Sequence, residues 1–262
     1  MNKPILYMLI ISTILISGCI STVNPVDPSD IIVNINPIEI KEFQEKELAV
    51  NVMNNATAPI DSVSVSSFEP FGILTGGSVN IPARTDKPSS VILNAKVSAP
   101  GFKDVTNTTT LTISYASGTD QKGNPYIKTK SVPVQTVVLP DATLQFVGFV
   151  KGLDNLSDAE VNAWQASKGE NVTISFSVKN EGKTIIEENS TRVYVEMGTS
   201  RMGSNSSLTI SNAMAKGGTS NTLGLQIRVP NDAPNGETEV IVTLKIGDKI
   251  LDSKTLKFNV RL

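Results

Sequence analysis

The chain reads as all-β: two tandem antiparallel β-sandwiches behind an export signal and a short tether. Three observations predict this. Apolar residues recur at every second position in run after run, the spacing of strands with one buried and one wet face. Thr, Ser, Asn, Val and Ile are abundant among the 262 residues, a mixture of β-branched strand formers and turn residues. The pattern of runs also occurs twice.

The first element is the N-terminus. Lys3 precedes an apolar run from Ile5 to Ile16, followed by Ser17, Gly18 and Cys19. A positive flank, a short hydrophobic stretch and small residues before a cut point form the grammar of a signal peptide. Ile16-Ser17-Gly18-Cys19 resembles a prokaryotic lipobox, and Cys19 is the single cysteine of the chain. The resemblance implies cleavage after Gly18 and a palmitate-type diacylglycerol, or an archaeal diether, on Cys19. Two chains supply the two hydrophobic signals that stable anchoring needs. Competing readings are plain secretion and an uncleaved membrane helix. The run holds only twelve residues, sixteen if extended to Ile20, against the roughly 20 that spanning requires. Each reading puts the rest of the chain outside the cytoplasm, and a lipid-bearing Cys19 puts it on the outer face of the cell membrane. One cysteine allows no disulfide within the chain, so core burial must hold the fold.

Residues 19–30 carry prolines 25 and 28 and no apolar periodicity, the composition of a tether. The first sandwich is expected over 31–140. Leu48, Val50 and Val52 alternate with polar or small residues, as do Val91, Leu93, Ala95 and Val97, then Leu111, Ile113 and Tyr115. The second is expected over 141–262. Val172, Ile174, Phe176 and Val178 share one face, followed by Leu223 to Val229, Val240 to Ile246, and Leu256 to Val260. About seven such runs fall in each half, the density of a sandwich.

The halves echo each other. An alternating strand ends in Asn54 or Asn180, passes through a polar connection and resumes as a strand; later, SAPGFKDVTNTTTLTISYASG parallels NDAPNGETEVIVTLKIGD. Gly169-Glu170, Val172 to Gly182 and Val229 to Val260 resemble the immunoglobulin-like modules of the CARDB or NEW3 kind found on archaeal and some bacterial surfaces. That resemblance implies an immunoglobulin-like fold and a cell-surface setting, and the family has no shared catalytic residue. The first half departs from it, with Asn54-Asn55-Ala56 where Asn-x-Gly is expected.

Between the halves, Ser157-Asp158-Ala159-Glu160 has the form of a capping box, predicting a short helix near 158–166. Trp164, the single tryptophan, either plugs the end of the second sandwich or the junction between the halves, or offers an aromatic platform to a glycan or protein.

Candidate site residues are few. Asn55, Asn107, Asn171, Asn189 and Asn205 begin Asn-x-Ser/Thr triplets, acceptors for N-glycosylation in an exported chain. A chain so rich in Asn, Ser and Thr also generates such triplets by accident. Arg201 in the 197–208 connection is a candidate contact residue; Phe68 and Phe71 in the 68–80 stretch either form a contact patch or cover the end of the sandwich.

Catalytic signatures are missing. The chain contains no histidine, which removes the commonest general base and catalytic zinc ligand. Adjacent Glu187 and Glu188 would splay apart in a turn rather than face each other across a cleft. Asp120 to Asn124 is too short for a calcium loop and reads as a hairpin connection. With 23 Lys+Arg against 25 Asp+Glu and no basic stripe, nucleic acid is not an expected partner. No metal or cofactor is expected. The expectation is therefore a non-catalytic, lipid-anchored surface protein acting as a structural, adhesion or protein-interaction module, its partners the membrane and an envelope protein or glycan. The alternative is a substrate-binding or accessory lipoprotein of an envelope transport or processing complex.

Overall fold

A computed structural model describes residues 25–146, 163–221 and 223–261. Cys19 and residues 158–162 lie outside them. The described chain is strand throughout, apart from turns, loops and a single 3-10 turn at Pro28–Asp30.

Nine strands build the first half: β1 Ile31–Asn34, β2 Ile38–Lys41, β3 Glu45–Asn54, β4 Ile60–Ser67, β5 Gly72–Gly76, β6 Val79–Ile81, β7 Ser89–Ser98, β8 Thr108–Thr119 and β9 Pro125–Leu139. They form two sheets, β1-β3-β7-β5 and β2-β9-β8-β4-β6. Eight more build the second: β10 Ala142–Phe146, β11 Ala163–Ser167, β12 Asn171–Asn180, β13 Thr191–Met197, β14 Ser206–Thr209, β15 Leu223–Arg228, β16 Gly236–Ile246 and β17 Lys249–Arg261. Their sheets run β10-β12-β15 and β11-β17-β16-β13-β14.

The two orders match strand for strand, except that β5 has no counterpart. Both include the same departure from antiparallel pairing, since β2 runs parallel to β9 and β11 parallel to β17. An early strand that leaves one sheet to pair in parallel with the last strand of the other is an immunoglobulin-like feature, and Greek-key sandwiches of this kind cover both sheet faces around one core.

The alternating runs supply those cores. Leu48, Val50, Val52, Leu93, Val97, Leu111, Ile113 and Tyr115 are buried in the first, and Ile174, Phe176, Val178, Val193, Val242, Leu244 and Phe258 in the second. A fully buried side chain of this size contributes about 1.5–3 kcal/mol, so neither half needs a disulfide.

Two expectations require correction. Residues 25–30 are not free tether. Val26 is buried, its N–H donating to Ser117 Oγ at 2.8 Å and its carbonyl accepting from Tyr115 Oη at 3.2 Å. Asp27 caps the 3-10 turn by accepting from the Ser29 N–H at 2.8 Å, and the Asp30 carbonyl accepts from the Asn55 N–H at 2.9 Å. Proline content suggested a loose segment, but an apolar Val between the prolines gave it something to bury. The helix near 158–166 does not run through 163–166 either. Ala163–Ser167 is β11, with Trp164 paired to Phe258 in register. A two-turn helix is marginal by itself, and the open edge of β17 offers these residues backbone partners that a helix would forgo.

Candidate functional site

The two sandwiches are joined by Pro140 and Asp141 alone between β9 and β10. Around that joint the chain concentrates its charged and buried polar chemistry. The Glu42 side chain, at the end of β2, is buried, with its carboxylate against the turn after β12. It accepts from the Thr184 hydroxyl in a short hydrogen bond and from the Thr184 N–H at 3.4 Å. Burying a carboxylate is costly unless its lone pairs are met, and here the partner sandwich meets them. Two backbone bonds hold Glu42 and its neighbour from behind: Glu42 N–H to the Leu139 carbonyl at 2.8 Å, and Phe43 N–H to the Ala99 carbonyl at 3.1 Å.

Gly182 makes this docking feasible. A Cβ at that position would lie 1.8 Å from Glu42 Oε1, so no other residue fits with the carboxylate in place. Asn-x-Gly in the second sandwich and Asn-x-Ala in the first thus have a physical cause. The turn at Gly182 is covered by Glu42, whereas no Cβ conflict exists at Ala56, which packs at the edge of its own core.

Around this centre lie Lys41–Asp141 at 2.8 Å, Lys249–Glu39 at 2.5 Å and a short Lys103–Glu187 pair. The Lys183 ammonium sits 4.7 Å from the Phe43 ring centroid. Exposed ion pairs of this kind are each worth about 0–1 kcal/mol, so they align the joint more than they hold it. Phe102 packs against both hydrophobic cores and supplies the apolar contact across it.

Beside the joint is a shallow hollow of about 460 Å³ lined by Glu39, Ile40, Lys41, Gln44, Leu139 and Ile250. It mixes both charge signs and is wide open. A second hollow of about 460 Å³ lies at the far pole of the second sandwich, formed by Ser200, Gly203, Ser204, Arg228, Asn231 and Asp232. Among the described residues, no three Asp, Glu, Cys or His side chains converge to hold a metal ion.

The sequence-predicted residues are scattered rather than gathered. Of the two readings of Phe68 and Phe71, the contact patch is corrected: both are buried in the core of the first sandwich, their rings stacked 4.7 Å apart. Leu74 nearby is exposed. Arg201 is exposed, while its neighbour Met202 fills the second core. The Trp164 side chain lies outside the described residues. Asn107, Asn171, Asn189 and Asn205 are exposed, and Asn55 is half-buried beside Arg84. Asn205 Oδ1 accepts from the Met197 N–H at 2.9 Å, and so helps close the 197–208 connection. Asp120 to Asn124 is a hairpin turn. The Asp120 carboxylate accepts from Asn124 Nδ2 and from the backbone N–H groups of Asn124 and Lys122, which lowers its pKa.

Glu42, Thr184, Gly182 and Val26 were not singled out by sequence reasoning. The legible signal was the Ala56/Gly182 mismatch inside an otherwise matching repeat.

The arrangement defines the class: a tandem immunoglobulin-like β-sandwich protein with a two-residue joint. No protein-family model matches the chain, and no curated protein does. Among solved structures, a red sea bream transglutaminase is similar at 13% identity and TM-score 0.38, over 89% of this chain and 31% of that one. The chain thus spans about a third of that enzyme's length. A Porphyromonas gingivalis W83 protein of unknown function is similar at 12% identity and TM-score 0.28, over 89% of this chain and 100% of the other.

Proposed function

We propose that this chain is a non-catalytic protein lipid-anchored at Cys19 on the extracytoplasmic face of the cell membrane, a short stalk of two immunoglobulin-like modules of the CARDB or NEW3 kind that presents its far pole to an envelope protein or glycan. The observation that carries the reading is the placement of Val26. It is pinned beside Tyr115 and Ser117, near the end of β8 remote from the joint, and seven residues after Cys19. The chain therefore leaves the first sandwich at one pole and the second sandwich is attached at the other. With Cys19 acylated, the first sandwich stands next to the bilayer. The hollow of Arg228 and Asp232, with exposed Arg201 close by in sequence, then points away from it.

The joint supports a structural role. A two-residue linker, a buried hydrogen-bonded carboxylate and a shared Phe102 resist hinge motion, as a spacer requires. The experiment is a mass measurement of the N-terminal peptide of protein extracted from native membranes, followed by crosslinking on intact cells. A modified Cys19 as first residue, with crosslinks from the second sandwich to an envelope component, is the expected result. Recovery of the protein in cytosol starting at Met1 overturns the reading, and crosslinks confined to a transporter would make it that complex's accessory subunit instead.

A further inference from the structure

One sheet of each sandwich runs through equivalent strands, β1-β3-β7 and β10-β12-β15, but only the first carries a further strand, β5 on the free side of β7. The registers fix which positions correspond. Leu48 pairs with Ala95 on β7, and Ile174, its repeat, pairs with Leu225 on β15. Asn94, Lys96 and Ser98 therefore correspond to Gly224, Gln226 and Arg228. Alternate residues of a strand bond opposite neighbours, and these are the ones whose backbone N–H and C=O point away from β3 or β12.

In the first sandwich that edge is met. Gly72 pairs with Ser98, Thr75 with Lys96, and the Gly77 N–H donates to the Asn94 carbonyl at 3.2 Å. In the second, the 197–208 connection takes the place of β5 and meets a single position. The Arg228 N–H donates to Ser204 Oγ at 3.3 Å, and a Cβ on Gly203 would lie 2.7 Å from Ile227 Cγ2. Gly224 and Gln226 are exposed, and among the described residues nothing bonds their outward groups.

A bare edge is a template for another chain, and proteins ordinarily blunt it with charges, prolines, bulges or a covering segment. Leu223 to Ile227 holds no charged residue, no proline and no register shift. The opposite edge of the same sheet is treated differently, since the Leu144 N–H donates to the Asp252 carboxylate at 2.8 Å. Steric room is also present. β14 stands beside β15 as β6 stands beside β7, and β6 leaves space for β5. Leu208 and Leu223 pack against the second core and are only partly buried.

We propose that β15 is completed by an extended segment of a partner protein, antiparallel as β5 is to β7. It pairs with Gly224 and Gln226 and sets an apolar side chain opposite Leu225, toward Leu208 and Leu223. Ser204 ends the open edge at Arg228. That stop disfavours a second copy, because β15 against β15 about Leu225 would drive the stretch leading into the other copy's Leu223 against Ser204. The inference rests on the reading of the second sandwich as the module that meets an envelope component, and narrows that component to a protein.

The test needs no lipid. Both cores lie within residues 26–260, so the chain from Cys19 onward, its thiol capped, keeps its fold. The probe is an acetylated, amidated peptide copying Gly72–Ser78, the strand that fills the equivalent place. At millimolar peptide, the Gly224 and Gln226 amides are expected to exchange about threefold more slowly or better, with β3 unchanged. Gln226→Pro removes only an outward N–H, a change that an edge strand tolerates. It should abolish the slowing at Gly224 while β12 exchanges as before. Equal exchange with and without peptide overturns the proposal, as does slowing that survives Gln226→Pro. Slowing that appears without peptide as protein concentration rises, with a dimer on sedimentation, overturns it in favour of a second copy. Failure of the underlying reading is seen separately, as crosslinks on intact cells that arise from the first sandwich alone.

Discussion

Asn54 and Asn180, 126 positions apart, make the same three hydrogen bonds at the same corner of their sandwiches. Each Nδ2 donates to the carbonyl four residues on, Ala58 at 2.8 Å and Thr184 at 2.9 Å. Each also donates to a distant carbonyl, Pro82 and Met214, both at 3.0 Å. Each Oδ1 accepts from the N–H two residues on, Ala56 and Gly182, both at 3.0 Å. Both side chains are buried, and the bridges Ile60–Ile81 and Ile186–Met214 sit at the same offset beside them. Shared strand order alone is common to many sandwiches. A shared, fully satisfied asparagine in register with a shared buried isoleucine is the mark of an internal duplication.

Asn54→Ala should be the more damaging of the two. It strips the Ala58 and Pro82 carbonyls and the Ala56 N–H of the side chain that meets them, a cost of about 2–4 kcal/mol. Asn180→Ala strips the Thr184 carbonyl, but the Met214 carbonyl still accepts from the Ile186 N–H at 3.0 Å and the Gly182 N–H still donates to the Asp141 carbonyl at 2.9 Å, so about 1–2 kcal/mol is expected. Urea unfolding of the two single variants should show the larger loss for Asn54→Ala, each in the sandwich that carries the substitution. An equal or larger loss for Asn180→Ala would mean that these backbone bonds do not substitute for the side chain.

The joint predicts a coupled pair. Gly182→Ala places a methyl on the Glu42 carboxylate and must expel it, leaving a buried charge to find water. Glu42→Ala leaves Thr184 unpaired, at about 1–3 kcal/mol. Together the two changes remove the clash, so the double variant should be more stable than the sum of the single effects implies. Small-angle scattering should show wider interdomain freedom in both single variants. Additive free energies would separate Gly182 from Glu42.

The strands were legible because a period of two needs only local order: Val172 to Val178 and Leu256 to Val260 declare their inward face without reference to any partner. The Asn54/Asn180 echo was legible for the same reason, as a repeat within the sequence. Glu42 was not. A charged residue at the end of a short strand is ordinarily solvated, and its burial depends on where the second sandwich docks, which no local pattern encodes. Val26 was missed because prolines on both sides carried the signal of an open segment. The aromatic residues near Pro70 left two readings open because they sit in a connection between strands, and burial in the core of the first sandwich depends on tertiary packing that their local pattern does not encode.

Phe68 distinguishes core from contact. Phe68→Ala empties a buried, stacked position and should cost about 3–5 kcal/mol, lowering the unfolding midpoint of the first sandwich. Leu74→Ser, at an exposed site in the same stretch, should leave stability within about 0.5 kcal/mol. Chemical denaturation of the two variants checks this, and a stable Phe68→Ala protein would return the aromatic pair to the surface.

Tyr115 ties the N-terminal segment to the sandwich through pH. Desolvation in the core raises its phenol pKa from 10.0 to about 12, with the Asp27 and Asp30 carboxylates adding to the shift. Its hydroxyl is a donor to the Val26 carbonyl, a role that the phenolate cannot fill. The raised value means that the unfolded chain releases this proton first. Its contribution is whole below pH 10 and is lost as pH rises through about 12. Stability should thus decline across that window more steeply in the wild-type chain than in Tyr115→Phe, which lacks the titrating group. Below pH 10 the wild-type chain should be the more stable of the two, because Tyr115→Phe forfeits the bond to Val26 at about 1 kcal/mol. Thermal unfolding of both proteins at pH 8 and across the alkaline range reads the two effects separately. Parallel curves throughout would mean that the Tyr115 hydroxyl is not held in the core, and that Val26 is fixed by Ser117 alone.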